Sequence, residues 1–167
     1  MDRPGTGAYF ASSHPLCRQP RRLSGHSLAG LALIRDLLIP ALLERYPEVE
    51  TGEPPDPIAV FQTPWPGVGP IEIVDDGWEA TIYVGELTHG HVNPYNNELT
   101  QGEIDAIVTE DVLDFLSALF NDEVLVWSTV SHNVGGWIWL NRTEPPAELR
   151  PDANYYVWSG PYQPSSS

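Results

Sequence analysis

The chain has 167 residues, of which 8 are basic and 23 acidic, giving a formal net charge of −15, and it holds a single cysteine, Cys17. That length suits one domain able to bury about two-thirds of its unfolded surface without metal or disulfide staples, and a lone cysteine excludes an intrachain bridge. Phosphate is repelled by such a charge, so direct nucleic-acid binding is disfavoured, and no run reaches the ~20 apolar residues of a membrane span.

Residues 1–25 are rich in Gly, Pro, Ser and Arg and read as a flexible arm. Every base in the chain is arginine, and Arg3, Arg18, Arg21, Arg22, Arg35 and Arg45 lie within the first 45 residues. Arg21 and Arg22 precede an apolar stretch as in a signal peptide. The charged pair Arg35-Asp36 inside that stretch and the lack of a small-x-small cleavage site argue against one, so a cytoplasmic location is expected. Ser27 is a plausible N-cap for a helix running to about Tyr46, kinked at Pro40 and stopped by Pro47. Leu28, Leu31, Ala32, Ile34, Leu37, Leu38, Ala41 and Leu42 cover more than half of its circumference. Such a helix is core, or a homodimer contact through residues 28–43. One folded domain is expected over residues 26–160, with 161–167 as a disordered tail.

Pro54, Pro55, Pro57, Pro64, Pro66 and Pro70 bias their neighbourhood toward extended connections around one short strand, Ile58 to Gln62. A hairpin follows: Ile71 to Val74, the turn Asp75-Asp76-Gly77, and Trp78 to Gly85, with Gly77 supplying the positive φ of the turn. Ala80, Ile82 and Val84 should face the core, and Glu79, Thr81 and Tyr83 the outside. A second hairpin pairs Val124 to Val130 with Trp137 to Leu140, and Tyr155 to Ser159 reads as a last strand. Between the hairpins, Thr100 and Glu103 have capping-box spacing, and Leu99 with Ile104 can form a hydrophobic staple, which predicts a helix from Gln101 to about Phe120. The expected fold is α+β: a mostly antiparallel sheet of about five to six strands with two main helices packed on it.

Charge is the most unusual feature. Between Tyr46 and Asn141 there are seventeen acidic residues and no lysine or arginine. On the second helix, Ile104, Val108, Val112, Phe115, Leu116 and Leu119 share one arc, and Glu103, Glu110, Asp114 and Ser117 the opposite one. Glu103 and Asp105 in the first turn favour the helix through its dipole and need no partner. Glu110 and Asp114 stand at i,i+4, repel by ~0.2–0.5 kcal/mol, and have no base in the helix to offset them. The readings are a partner-facing acidic surface, plain solubility, or metal binding. Asp75, Asp76 and Glu79 at the hairpin turn are candidates to extend that surface.

The segment from Leu87 to Glu98 is dense in polar side chains. His89 and His91, if extended, project to one side as a pair of imidazole ligands would, with Glu86 or Glu98 to complete a metal site. The alternatives are acid-base chemistry or an ordered loop in which Asn93-Pro94 sets a turn and Thr88, Asn96 and Asn97 satisfy backbone groups. Nucleophilic catalysis lacks a signature: there is no G-x-S-x-G elbow, and Gly135-Gly136 sits in a hairpin instead of a phosphate-binding strand-to-helix turn. Trp137 and Trp139 alternate on one strand, and with Trp127, Tyr156 and Trp158 they suggest one aromatic cluster, either core or a partly exposed patch beside the acids.

In size and charge alone, without a shared motif, the chain resembles small bacterial immunity proteins and other acidic inhibitors that cover the cationic active site of a nuclease toxin. That resemblance implies a protein-binding module for a basic partner; the helix face, the hairpin turn and the strand alternation read above make Glu103, Glu110, Asp114, Asp75, Asp76, Glu79, Trp137 and Trp139 the expected contact set, and no cofactor is expected. An enzyme is the less expected outcome. The alternative is a small metal-binding protein or metal-dependent enzyme that uses His89 and His91 with a divalent ion.

Overall fold

The computed structural model describes residues 34–96, 98–131, 134–140 and 149–163. The element order is α1 (Ile34–Arg45), β1 (Glu50–Thr51), β2 (Ala59–Phe61), β3 (Ile71–Asp75), β4 (Ala80–Val84), β5 (Thr88–Val92), α2 (Gln101–Phe120), β6 (Val124–Thr129), β7 (Gly135–Trp139), β8 (Ala153–Val157) and β9 (Gly160–Pro161). The class is the expected α+β with antiparallel pairing, but the strands divide into two sheets. One is a five-stranded meander, β1-β2-β3-β4-β5, and the other has the order β7-β6-β8-β9.

Local chemistry accounts for the hairpins and the long helix. Gly77 takes φ +85° in the β3–β4 turn, where its amide donates to Asp75 Oδ1 at 2.8 Å. The register pairs Asp75 with Ala80 and Ile73 with Ile82, so Ala80, Ile82 and Val84 share the buried face with Ile71 and Ile73. At the start of α2 the backbone amide and hydroxyl of Thr100 donate to Glu103 Oε2 at 2.8 and 2.7 Å, closing the capping box. The predicted apolar arc of α2 is buried throughout: Ile104, Val108, Val112, Phe115, Leu116 and Leu119 join the inner faces of both sheets and Ile34, Leu38 and Leu42 of α1 in one core. A merged core of this kind stabilises both sheets at once through removal of apolar surface from water. No helix among the described residues is long and apolar enough to cross a membrane.

Three expectations change. The His89–His91 segment is strand β5, paired with β4, not a loop. Gly90 makes this possible, because its missing side chain leaves room on the buried face for the Trp137 ring. Thr81 points to the outer face as expected yet is 0% exposed, because Asp76 and His91 close over its hydroxyl. The aromatic cluster splits: Trp137, Trp139, Tyr156 and Trp158 pack on the core, with Phe115 at 4.7 Å from Trp137 and Phe120 at 4.5 Å from Trp158. Trp127 alternates to the opposite side of β6, where Arg150 lies 5.6 Å from its ring.

The expected arm, the start of the first helix at Ser27 and residues 164–167 of the expected tail (161–167) lie outside the described residues; at the start of that tail, Pro161 pairs with Tyr156 in β9 and the Tyr162 amide donates to Tyr155 O at 2.9 Å. Helix α1 ends at Arg45 as expected and carries Pro40 within it, with Leu37 and Leu43 partly exposed beside the buried Ile34, Leu38 and Leu42. Arg35 is buried, and its guanidinium donates to the carbonyl oxygens of Gly52 and of Asp56, which ties the connection between β1 and β2 to α1.

Candidate functional site: an acidic tip on the first sheet

One end of the five-stranded sheet collects acidic, aromatic and imidazole groups from four elements. The β3–β4 turn brings Asp75, Asp76, Trp78 and Glu79, and β5 brings His91. The connection after β5 brings Asn93 and Tyr95, and the first turn of α2 brings Gln101, Glu103 and Asp105. Gln101 joins the last of these to the turn, because its Nε2 donates both to Gly77 O at 3.2 Å and to Asp105 Oδ1 at 2.7 Å. Asn93 joins the connection to the turn in the same way, donating from Nδ2 to Trp78 O at 3.2 Å.

A chain of hydrogen bonds runs across the outer face. The Thr81 hydroxyl donates to Asp76 Oδ2 at 2.6 Å. Nδ1 of His91 lies 2.8 Å from Glu79 Oε1 and 3.2 Å from Thr81 Oγ1. A carboxylate only accepts, and the one hydroxyl hydrogen of Thr81 is committed to Asp76, so Nδ1 of His91 carries the hydrogen. Whenever the ring is neutral, its lone pair is therefore on Nε2. His89, two residues earlier and on the same face, stacks on Tyr83 at 5.5 Å and stands edge-on to His91 at 5.5 Å. The common side predicted for the two imidazoles is what the strand provides. Among the described residues no three His, Cys, Asp or Glu side chains are placed to hold a metal ion together.

Asp105 departs most from its sequence reading. It is 0% exposed, with Oδ1 held by Gln101 and Oδ2 without a hydrogen-bond partner. It is therefore no solvated dipole-stabilising acid. Burial pushes its pKa above the ordinary carboxylate range, and the charges of Asp75 and Asp36 add to the rise against the opposing bond from Gln101. Glu103, by contrast, is held below the usual range by the hydroxyl and amide of Thr100.

The predicted contact residues do not all fall together. Asp75, Asp76, Glu79 and Glu103 gather at the tip; Glu110 and Asp114 are exposed farther along α2, about 10 and 16 Å from Glu103 at 1.5 Å per residue. Other acids of the charged stretch lie elsewhere, and Asp122 is occupied in bonding the amide and hydroxyl of Ser159 at 2.8 and 2.7 Å. Trp137 and Trp139 are partly buried against the core. The aromatic rings exposed beside the acids are Trp78 at 67% and Tyr95 at 68%. Partial burial of its hydroxyl, and secondarily the Glu79 charge, raise the Tyr95 pKa. Sequence reading passed over both: Trp78 follows the turn glycine directly, and Tyr95 follows Asn93-Pro94 in a turn where Asn93 Oδ1 accepts from the Tyr95 amide at 2.7 Å. Comparison with protein-family models, with curated proteins and with solved structures returned no significant match.

Proposed function

We propose that this chain is a stoichiometric protein-binding module that neutralises or regulates a basic partner, most concretely an immunity-type inhibitor of a bacterial nuclease or other toxin. The observation that carries the reading is the exposure of Trp78 and Tyr95 at 67% and 68% on the same tip as Asp75, Asp76 and Glu79. Large exposed rings encircled by charge are the usual anchors of tight interfaces, where the ring is desolvated and its rim excludes water. Clustered carboxylates raise the encounter rate with a cationic surface and occupy positions where phosphate would otherwise bind. The rings then slow dissociation, and α2 extends the negative field through Glu110 and Asp114.

The test is retention from a native lysate at low salt on the full chain, beside a variant combining Trp78→Ala, Tyr95→Ala, Asp76→Asn and Glu79→Gln. The expected result is a basic protein held by the native chain, released by salt and absent from the variant. Equal retention by both chains, or no basic protein on either, overturns the reading.

A further inference from the structure

The outer face of β4 and β5 carries a second site, which borders the acidic tip and shares Asp76 and Glu79 with it but takes a different kind of ligand. We propose that His89 and His91 bind one divalent first-row transition-metal ion, with Glu79 as the positioning residue that fixes the His91 ring.

Three observations support this. First, i and i+2 of a strand share a face, and the β4–β5 register sets His89 opposite Tyr83 and His91 opposite Thr81 on the outer side. Second, the ring centroids lie 5.5 Å apart with planes at 87°. A metal ion about 2.0–2.1 Å from each ligating nitrogen stands roughly 3.2 Å from each centroid, and a tetrahedral angle between the two rings then separates the centroids by about 5 Å. The observed centroid separation is close to that value. Third, the chain Asp76–Thr81–His91–Glu79 assigns the His91 hydrogen to Nδ1 and leaves Nε2 as the ligating atom. A carboxylate bonded behind a ligating imidazole fixes its tautomer and raises its basicity, the usual outer shell of a histidine metal ligand. Two imidazoles suit zinc, nickel or copper and not magnesium or calcium, which prefer oxygen. Water completes the coordination.

The experiment is titration of the full, untagged chain with Zn²⁺ and, separately, Ni²⁺ by isothermal calorimetry. The expected result is one saturable ion per chain, with binding lost in His89→Ala and in His91→Ala and retained when His14, His26 and His132 are all replaced by alanine. Glu79→Ala should weaken binding roughly 10- to 100-fold, while Glu79→Gln, which keeps an acceptor for Nδ1, should recover most of that loss. Long-range ¹H–¹⁵N NMR of the metal-free chain should find the neutral His91 hydrogen on Nδ1. If His89→Ala fails to fold by circular dichroism, His89→Phe, which keeps the stack on Tyr83, takes its place. Titration unchanged by the His89 and His91 variants, absence of saturable binding, or an Nε2–H tautomer at His91 overturns the proposal. Because Trp78→Ala with Tyr95→Ala removes the docking anchors and changes neither imidazole nor Glu79, it should leave metal affinity unchanged, so failure here is separable from failure of the docking reading.

Discussion

A side chain at Gly90 would meet the ring of Trp137: a Cβ built on Gly90 falls within 2.5 Å of Trp137 Cζ2 and closer still to Cη2. This is where the two sheets lock, since β5 is the last strand of one and β7 the first of the other. Gly90→Ala should therefore destabilise the fold by about 1–3 kcal/mol through overpacking. Trp137→Ala should cost about 3–5 kcal/mol through the cavity it leaves. Urea unfolding of both variants checks this, and a Gly90→Ala variant as stable as the native chain would contradict the packing.

Asp105 gives a pH-dependent prediction. Its pKa is raised in the folded chain, so the folded state holds that proton more tightly than the unfolded state does. The associated stability is complete below the ordinary carboxylate range of about 4 and is lost as the pH rises through the folded value. Asp105→Asn should raise the melting temperature at pH 7 to 8, and its advantage should shrink as the pH falls toward 4. Calorimetric melting across that range measures it. An advantage that grows on acidification would reverse the sign.

Arg35 is a buried cation whose described partners are backbone carbonyls, Gly52 O and Asp56 O. Arg35→Met keeps much of the stem but leaves both oxygens without that donor. Hydrogen bonds from a charged donor are worth about 1.5–3 kcal/mol each, so the loss should be of that order. Hydrogen exchange should accelerate first in residues 50–58, ahead of global unfolding.

Trp78 and Tyr95 should show the opposite balance. Each is more than two-thirds exposed, so Trp78→Ala and Tyr95→Ala should change stability by no more than about 0.5 kcal/mol. Both should weaken capture of a basic partner, through faster loss on washing at moderate salt. A large drop in melting temperature for either would assign the ring to the fold instead.

Thr100 was legible as a cap because a capping box is written in four consecutive residues, and the β3–β4 turn because Gly77 answers a local need for positive φ. The arcs of α2 followed from the helical repeat, which any sequence displays without reference to its neighbours. The sequence by itself determined those elements, the α+β class and the excess of negative charge, since each depends on spacing within a few residues or on composition alone. Only the tertiary structure decided that Gly90 is a strand residue under Trp137, that Asp105 is buried, and that Thr81 directs the hydrogen of His91. Those facts depend on partners 10 or more positions away along the chain or in another sheet, and no local period records such distances. The same holds for the tip: the acids could be counted in advance, but their meeting with Trp78 and Tyr95 required the turn, the β5 connection and the start of α2 to converge.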